Sequence, residues 1–257
     1  MKTLEIYRVV LLQSIARMEK KMIYVGIDNA IFASFPGFRR GLVVARNVNN
    51  RAHRSSLESM LVDAVKGANE EQVDFSSEPH FVKWDEAHRR FNSNPNKYPP
   101  AHKALRKRVQ RPDASIPYIN SAVAIMNLMS IAVRMPVGGD NVHSGRGLLE
   151  LRFATGEEEF HPLGKSGEIE RPDRGEVIYV ADKNTVMCRR WNWRNSQTTA
   201  ITADTELLVM NVDGILENCE AEVCAARDRV AELLRVYCGA TVETCLLSPG
   251  YPSYTID

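Results

Sequence analysis

The segment from Glu176 to Thr202 constrains the fold most strongly, because it contains two β-patterned runs in direct succession. Residues 177–180 are β-branched or aromatic, residues 182–184 are turn formers, and residues 185–194 resume the extended pattern. This order predicts a β-hairpin. Because side chains alternate along a strand, the second run has two predicted faces. They carry Met187, Arg189, Trp191 and Trp193 on one side and Cys188, Arg190, Asn192 and Arg194 on the other.

The second of these faces is a candidate binding surface. It would place Arg190, Asn192 and Arg194 at same-side positions about 6–7 Å apart. Guanidinium and amide donors suit a carboxylate, a phosphate or a carbonyl. A solvated basic face opposite an aromatic core face explains the same pattern, since strand arginines are usually at the surface. Cys188 is interpreted as a buried structural cysteine rather than a nucleophile.

The rest of the chain separates into helical and extended parts. Apolar spacing predicts helices over residues 55–66, 81–91, 101–110, 119–135 and 217–238. Strands are predicted at residues 23–27, 42–46, 148–153, 160–163, 207–212 and 241–247. This segregation predicts an α+β fold. We expect the strands of residues 148–212 to form a mainly antiparallel sheet, packed by the helices of residues 119–135 and 217–238.

Composition sets the broad class of protein. The 257 residues are 44% hydrophobic and 25% charged, as in a soluble globular protein. We expect residues 22–257 to form a single domain after an N-terminal extension of residues 1–21. The net charge of +1 neither requires nor excludes a nucleic-acid partner. Five cysteines without metal-binding spacing favour free thiols in the cytoplasm, and no apolar run reaches membrane-spanning length. No cofactor or metal is expected, since no dinucleotide-binding or metal motif occurs.

Two predicted helices carry polar residues of interest. The helix of residues 101–110 bears four basic side chains that are candidates for RNA phosphate contacts, namely Lys103, Arg106, Lys107 and Arg108. A solvated helix face is the alternative. In the helix of residues 119–135, Asn120 and Asn127 lie two turns apart on one face and need partners if buried. Next, the paired glycines Gly138 and Gly139 predict a turn that permits close approach of a ligand.

A series of motifs between residues 97 and 239 resembles a known family. In order, they are Ile119-Asn120, Pro136-Val137-Gly138-Gly139, Leu149 to Ala154, Gly156-Glu157, Pro162-Leu163-Gly164, Glu176 to Asp182, Cys188 to Arg194, and Ser196. Together they resemble the tRNA-editing module of the bacterial phenylalanyl-tRNA synthetase β subunit, and more closely its free-standing relatives. The specificity comes from the order and spacing, because each motif alone recurs by chance.

The chain also departs from the synthetase pattern. Gly138 stands where the synthetases have a pocket histidine, and His143 lies five residues further on. Residues 191–196 replace a glycine-rich stretch with a glutamate, so only Ser196 matches there. The free-standing relatives are similar to this chain at both places. Motifs for adenylate formation and anticodon binding are absent, so the chain is not expected to charge tRNA.

The resemblance implies a trans-acting aminoacyl-tRNA deacylase that hydrolyses the ester of a mischarged tRNA. A non-catalytic module that binds an amino acid or the aminoacyl-tRNA 3′ end is the alternative, as is an aminoacyl-tRNA-dependent transferase. Asp140 or Glu150 would bind the amino group or orient water, but the catalytic residues stay open, as do the amino acid and the oligomeric state. The predicted substrate-binding residues are Asn120, Asn127, Gly138, Gly139, Asp140, Glu150, Arg190, Asn192, Arg194 and Ser196.

Overall fold

The computed structural model describes residues 22–142, 147–165 and 167–256. The expected extension of residues 1–21 and His143 lie outside the described residues. The helices are α1 (Asn29–Ser34), α2 (Ser55–Glu71), α3 (Pro79–Arg90), α4 (Ala101–Val109), α5 (Ser121–Val133) and α6 (Glu220–Cys238). The strands are β1 (Ile23–Ile27), β2 (Arg39–Arg46), β3 (Val137–Asn141), β4 (Leu148–Phe153), β5 (Glu159–Phe160), β6 (Val177–Ala181), β7 (Thr185–Arg189), β8 (Arg194–Asn195), β9 (Leu207–Gly214), β10 (Thr241–Leu247) and β11 (Ser253–Ile256).

The strands form two sheets. Sheet one has the order β11-β1-β4-β6-β7-β5, with β8 paired to β7, and sheet two has the order β10-β2-β9-β3. Most neighbours are antiparallel, and the β1–β4 and β5–β7 pairs are parallel. The α+β class and the mainly antiparallel pairing are confirmed. The expectation of one sheet over residues 148–212 is wrong, because β9 pairs along its whole length with β2 and so joins sheet two.

Sheet two is the middle layer of the fold. On one face, Val43 and Met210 pack in a hydrophobic core with α5 and α6. On the other face, Val44 and Val209 pack against sheet one residues such as Leu149. Strand alternation explains why both faces of β2 and β9 are apolar, since each face is covered by a different layer. Helices α5 and α6 therefore pack on sheet two and not on the strands of residues 148–195.

Gly138 and Gly139 lie in strand β3 rather than in the predicted turn. Strand β3 pairs antiparallel with β9, from Val137 opposite Val212 to Asn141 opposite Leu208. Gly139 serves close packing here, because a Cβ at this position would lie 3.0 Å from the Met210 side chain. Close packing thus explains Gly139 but not Gly138, where a Cβ would meet no described atom within 4 Å.

The hairpin of β6 and β7 is confirmed, but its second strand is shorter than predicted. Asp182 and Lys183 form the turn with φ values of 51° and 74°. Strand β7 ends at Arg189, because Arg190 and Trp191 adopt left-handed backbone conformations with φ values of 47° and 66°. The predicted alternation of faces therefore fails beyond Arg189.

Candidate functional site

A cavity of about 420 Å³ lies where the two sheets meet helices α4 and α5. Sheet two contributes residues of β2, β3 and β9, and sheet one contributes residues of β6 and β7. Residues 191–193, directly after β7, complete the wall. The volume lies in the range of small-molecule sites, which are commonly placed between packed elements.

A buried ion pair forms one wall of this cavity. Strand register places Arg40 of β2 opposite Asp213 of β9. The guanidinium Nε and Nη2 atoms each lie 2.8 Å from a carboxylate oxygen of Asp213, and Arg40 is 2% exposed. Burial alone lowers the pKa of Arg40, but attraction and hydrogen bonding to Asp213 outweigh it and raise the pKa. The arginine is therefore charged and rigidly held.

Five side chains that line the cavity each have a buried polar atom without a hydrogen-bond partner among the described residues. These atoms are Arg40 Nη1, the Tyr179 hydroxyl, Trp191 Nε1, Asn192 Nδ2 and Asn211 Oδ1. Buried polar atoms in folded proteins are nearly always hydrogen-bonded. A small molecule bound in this cavity would therefore find unused donors and acceptors on several of its walls.

Tyr179 and Asn211 are neighbours in this group. Burial raises the pKa of Tyr179, and the nearby charge of Arg40 and the Asn211 amide lower it only in part. The hydroxyl is consequently protonated and available as a donor. The Arg40 guanidinium lies over the same ring, 4.9 Å from its centroid.

A histidine that the sequence analysis did not single out orients Asn192. The Nε2 atom of His88 lies 3.1 Å from Asn192 Oδ1. Burial lowers the pKa of His88 to about 4, so the imidazole is neutral at neutral pH. Because an amide oxygen only accepts hydrogen bonds, the neutral ring must donate through Nε2. This contact fixes the amide and leaves Asn192 Nδ2 as a donor.

Carboxylate and thiol groups complete the polar lining. Asp140 is 3% exposed, and the Thr199 hydroxyl donates to it at 2.6 Å. Asp140 also lies near Arg40, and its charge adds to the attraction that raises the pKa of the arginine. Burial, together with the nearby charge of Asp140, raises the pKa of Cys188. The thiol is therefore protonated and a poor nucleophile.

The structure separates the predicted substrate-binding residues into two groups. Those that line the cavity are Asn127, Gly138, Gly139, Asp140 and Asn192. The remaining five, Asn120, Glu150, Arg190, Arg194 and Ser196, have other surroundings. Asn120 caps helix α5 by accepting a hydrogen bond from the Val123 backbone N–H at 2.9 Å. The Ser196 hydroxyl donates to the His161 carbonyl at 3.1 Å.

The other three residues of the second group are in ion pairs. Glu150 lies in sheet one, 3.5 Å from Arg152. Burial raises the pKa of Glu150, and the charge of Arg152 opposes this shift. Arg190 pairs with Asp173 at 2.8 Å, and Arg194 with Glu170 at 3.4 Å. Both arginines lie beside the cavity wall formed by residues 191–193.

The prediction that α4 contacts RNA is wrong for two of its four basic residues. Lys103 and Arg106 are buried, with Lys103 Nζ 2.5 Å from Asp85 and Arg106 paired with Glu71. They lie on the inner side of α4, where burial lowers the pKa of Arg106. Lys107 and Arg108 are exposed, and Arg108 also lines the cavity.

Sequence analysis missed Arg40, His88, Tyr179, Asn211 and Asp213. A signal existed for two of them, because Asn211 and Asp213 interrupt an apolar strand at alternate positions, as residues that line a site do. Arg40 gave no such signal, since its role depends on a partner 173 residues away.

Two absences among the described residues bear on the class of site. No group of three or more His, Cys, Asp or Glu side chains is arranged to hold a metal ion in the part of the chain that the structure describes. Among residues 22–142, 147–165 and 167–256, no helix has the length and apolarity that crossing a membrane requires.

Comparison with known proteins identifies the family. The B3/4 domain model matches residues 83–239, which is more than half of the chain. The chain belongs to the B3/4 domain family. The resemblance to the phenylalanyl-tRNA synthetase β subunit is thereby confirmed at the level of the family, and the placement among free-standing editing modules stays a prediction. The B3/4 match includes Asn192 and Asp213 but not Arg40, which β2 supplies from outside it.

Among solved structures, the chain is similar to an N-terminal fragment of the phenylalanyl-tRNA synthetase β subunit from Pyrococcus horikoshii. The identity is 13% and the TM-score 0.44, with 85% of this chain and 49% of that chain covered. The B3/4 protein therefore spans about half the length of that fragment. No curated protein matched the sequence.

Proposed function

We propose that the cavity binds the aminoacyl end of an aminoacyl-tRNA and that the protein hydrolyses its ester. The observation that supports this most is the group of unpartnered donors on Arg40, Trp191 and Asn192 in a B3/4 chain. An ester carbonyl oxygen is an acceptor without a hydrogen of its own. Its binding would satisfy buried donors that are otherwise costly to leave unpaired.

The charge of the cavity fits the other end of the same group. An aminoacyl ester carries a free α-ammonium, which is a cation. Asp140 and Asp213 are buried carboxylates on the cavity wall. A cation near Asp140 and a carbonyl near the donors together describe an aminoacyl ester.

Ester hydrolysis makes modest demands on the protein. Water attacks the carbonyl carbon, the bond to the ribose oxygen breaks, and a proton passes to that oxygen, which releases the amino acid and the tRNA. The protein must orient the water and stabilise the oxyanion of the tetrahedral intermediate. Arg40, Trp191 and Asn192 supply donors for the oxyanion, and the vicinal ribose hydroxyl can assist the proton transfer. Cys188 has no part as a nucleophile, because its thiol is protonated.

Capture of the aminoacyl end without hydrolysis is a second candidate. It is favoured by the protonated Cys188 thiol and by the Ser196 hydroxyl, which is hydrogen-bonded away from the cavity. Neither residue forms a nucleophile–base pair with a histidine within the described part of the site.

A panel of tRNAs carrying matched and mismatched amino acids tests the proposal. The protein is incubated with each, and the loss of the amino acid is followed over time against a protein-free blank. We expect selective hydrolysis of at least one aminoacyl-tRNA. Tight binding with an intact ester would establish capture instead, and neither binding nor hydrolysis above the blank would refute both functions.

A further inference from the structure

Aromatic and basic side chains gather where the cavity wall meets the surface. Trp193 lines the cavity but is only partly buried, and its ring meets that of Tyr98 at 4.7 Å with an interplanar angle of 72°. We call Tyr98, Trp193 and the nearby cations Lys97 and Arg108 the mouth cluster. Lys97 Nζ lies 5.1 Å from the Tyr98 ring, and Arg108 lines the cavity from α4.

The break after β7 is what presents Trp193 at this position. The left-handed conformations of Arg190 and Trp191 direct the Trp191 ring into the core, where it packs on Phe35 and Phe38 at 4.8 and 4.9 Å. Trp193 follows two residues later at the cavity edge, with its backbone N–H bonded to the Arg189 carbonyl at 3.1 Å. Left-handed bulky residues are rare, and such geometry concentrates at functional sites.

The charges of the mouth cluster are available to a ligand. Arg190 lies 3.9 Å from the centre of the Tyr98 ring, but its guanidinium is already paired with Asp173. Lys97 and Arg108, in contrast, are exposed and have no carboxylate partner among the residues that the structure describes. An aromatic surface beside unpaired cations is the arrangement that binds single-stranded nucleic acid.

We propose that Trp193 stacks on the terminal nucleobase of an unpaired RNA 3′ end while Lys97 and Arg108 contact neighbouring phosphates. This inference rests on the proposed function, since it names the subsite that would hold the nucleotide next to the aminoacyl group. Aromatic rings stack on any base, so the contact contributes affinity without reading sequence. The position of Trp193 on the cavity edge would let the ester enter while the base stays outside.

The test compares two ligands that share an amino acid. One is a short RNA hairpin with a single-stranded 3′ end joined to the amino acid by a hydrolysis-resistant amide, and the other is the free amino acid amide. We expect Trp193→Leu to weaken binding of the RNA about tenfold, as loss of a stacking ring does, and to weaken binding of the amino acid amide clearly less, because the amide has no base to stack. Trp193→Phe keeps a ring and should retain most of the RNA affinity. Arg108→Gln should reduce the slope of log affinity against log salt concentration by about one, as loss of one phosphate contact does.

An uncharged RNA separates this inference from the proposed function. The same hairpin without the amino acid is compared with one that lacks the last nucleotide. If the wild type binds the shortened RNA more weakly than the full hairpin, and Trp193→Leu binds both equally, stacking of the last base on Trp193 is supported. This result does not depend on whether any ester is hydrolysed. Equal affinity of the wild type and Trp193→Leu for both RNAs would overturn the proposed stacking on Trp193. Hydrolysis in the tRNA panel would still uphold the proposed function.

Discussion

Two buried arginine–carboxylate pairs, Arg189 with Glu176 and Arg40 with Asp213, differ in whether the third guanidinium nitrogen has a partner. Arg189 binds Glu176 through Nε and Nη2 at 3.1 and 2.8 Å, and Arg40 binds Asp213 through the same two atoms at 2.8 Å each. The third nitrogen of Arg189 bonds to Glu170 at 2.9 Å. The third nitrogen of Arg40 has no partner within the described chain.

The Arg189–Glu176 pair, which we call saturated because every guanidinium nitrogen is bonded, supports the fold. The Arg40–Asp213 pair is called unsaturated. Glu176 also accepts hydrogen bonds from the backbone N–H groups of Arg190 at 2.9 Å and Asp173 at 3.2 Å, so it holds the chain on both sides of the hairpin. The Arg40 pair instead borders a cavity whose other walls also carry unpartnered polar atoms. The two pairs thus differ in their surroundings, because only the Arg40 pair has an unused nitrogen beside a cavity.

The largest effect is expected from breaking the saturated pair. Arg189→Met breaks the buried pair and leaves Glu176, among the described residues, with only the Arg190 guanidinium, at 3.7 Å, and breaking a buried pair typically costs about 3–5 kcal/mol. Urea unfolding should show a free energy of unfolding that is lower by that amount. Wild-type stability in this variant would contradict the supporting role of the pair.

Acid should destabilise the region behind the cavity by a somewhat smaller amount. Burial lowers the pKa of His88 to about 4, whereas histidine in an unfolded chain titrates near 6.5. Between pH 4 and pH 6.5 the unfolded state binds more protons than the folded state. The contribution of His88 to the free energy of unfolding is therefore complete above pH 6.5 and falls by up to roughly 3 kcal/mol as the pH drops to 4. His88→Gln removes this titration and keeps a donor for Asn192. Urea unfolding at several pH values should therefore give a flatter profile for the variant, and equal slopes would show that His88 is not the group involved.

Removing the unsaturated pair as a unit should spare the fold and impair the site. Arg40→Met combined with Asp213→Leu removes both members of the pair together, and such replacements are often neutral for stability. Hydrolysis or binding of aminoacyl-tRNA should fall about tenfold to a hundredfold, since a charge-assisted hydrogen bond contributes about 1.5–3 kcal/mol. The matched double variant Arg189→Met with Glu176→Leu should stay unstable, because Glu170 and two backbone N–H groups lose their partner. Full activity of the first double variant would place the site elsewhere.

A smaller effect is expected at Asn192. Asn192→Ala removes one donor at the cavity and should reduce activity about tenfold, a barrier change of about 1.4 kcal/mol. Glu150→Gln is the control, because sequence analysis selected both residues and only Asn192 lines the cavity. If the two variants lose activity equally in the deacylation assay, lining the cavity does not decide which residues matter for hydrolysis.

The elements of the fold could be predicted where local patterns determine them. The helix expected over residues 119–135 is Ser121–Val133, and the hairpin turn falls at Asp182 and Lys183 as predicted. Periodicity could not show that β9 leaves the neighbouring strands to pair with β2, because strand pairing between distant segments depends on the packed layers.

The site was predictable only in part for the same reason. Asn192 lines the cavity, although it lies in the backbone break after β7 and not on the predicted strand face. Lys103 was expected at the surface because its helix is rich in charge, yet Asp85 of α3 holds it inside. Contacts between elements decided both positions, and the sequence near each residue does not contain them.

Nitrogen-15 spectra of the three tryptophan indoles test the central claim most directly. Trp84 and Trp191 both have a buried indole N–H without a partner among the described residues, but only Trp191 lines the cavity, so Trp84 is an internal control. Saturation with a hydrolysis-resistant, amide-linked aminoacyl nucleoside should move the Trp191 N–H signal downfield, as formation of a hydrogen bond does, and leave that of Trp84 in place. An unmoved Trp191 signal at saturation, or equal shifts of both, would contradict the claim that the aminoacyl group supplies the missing partners of the cavity.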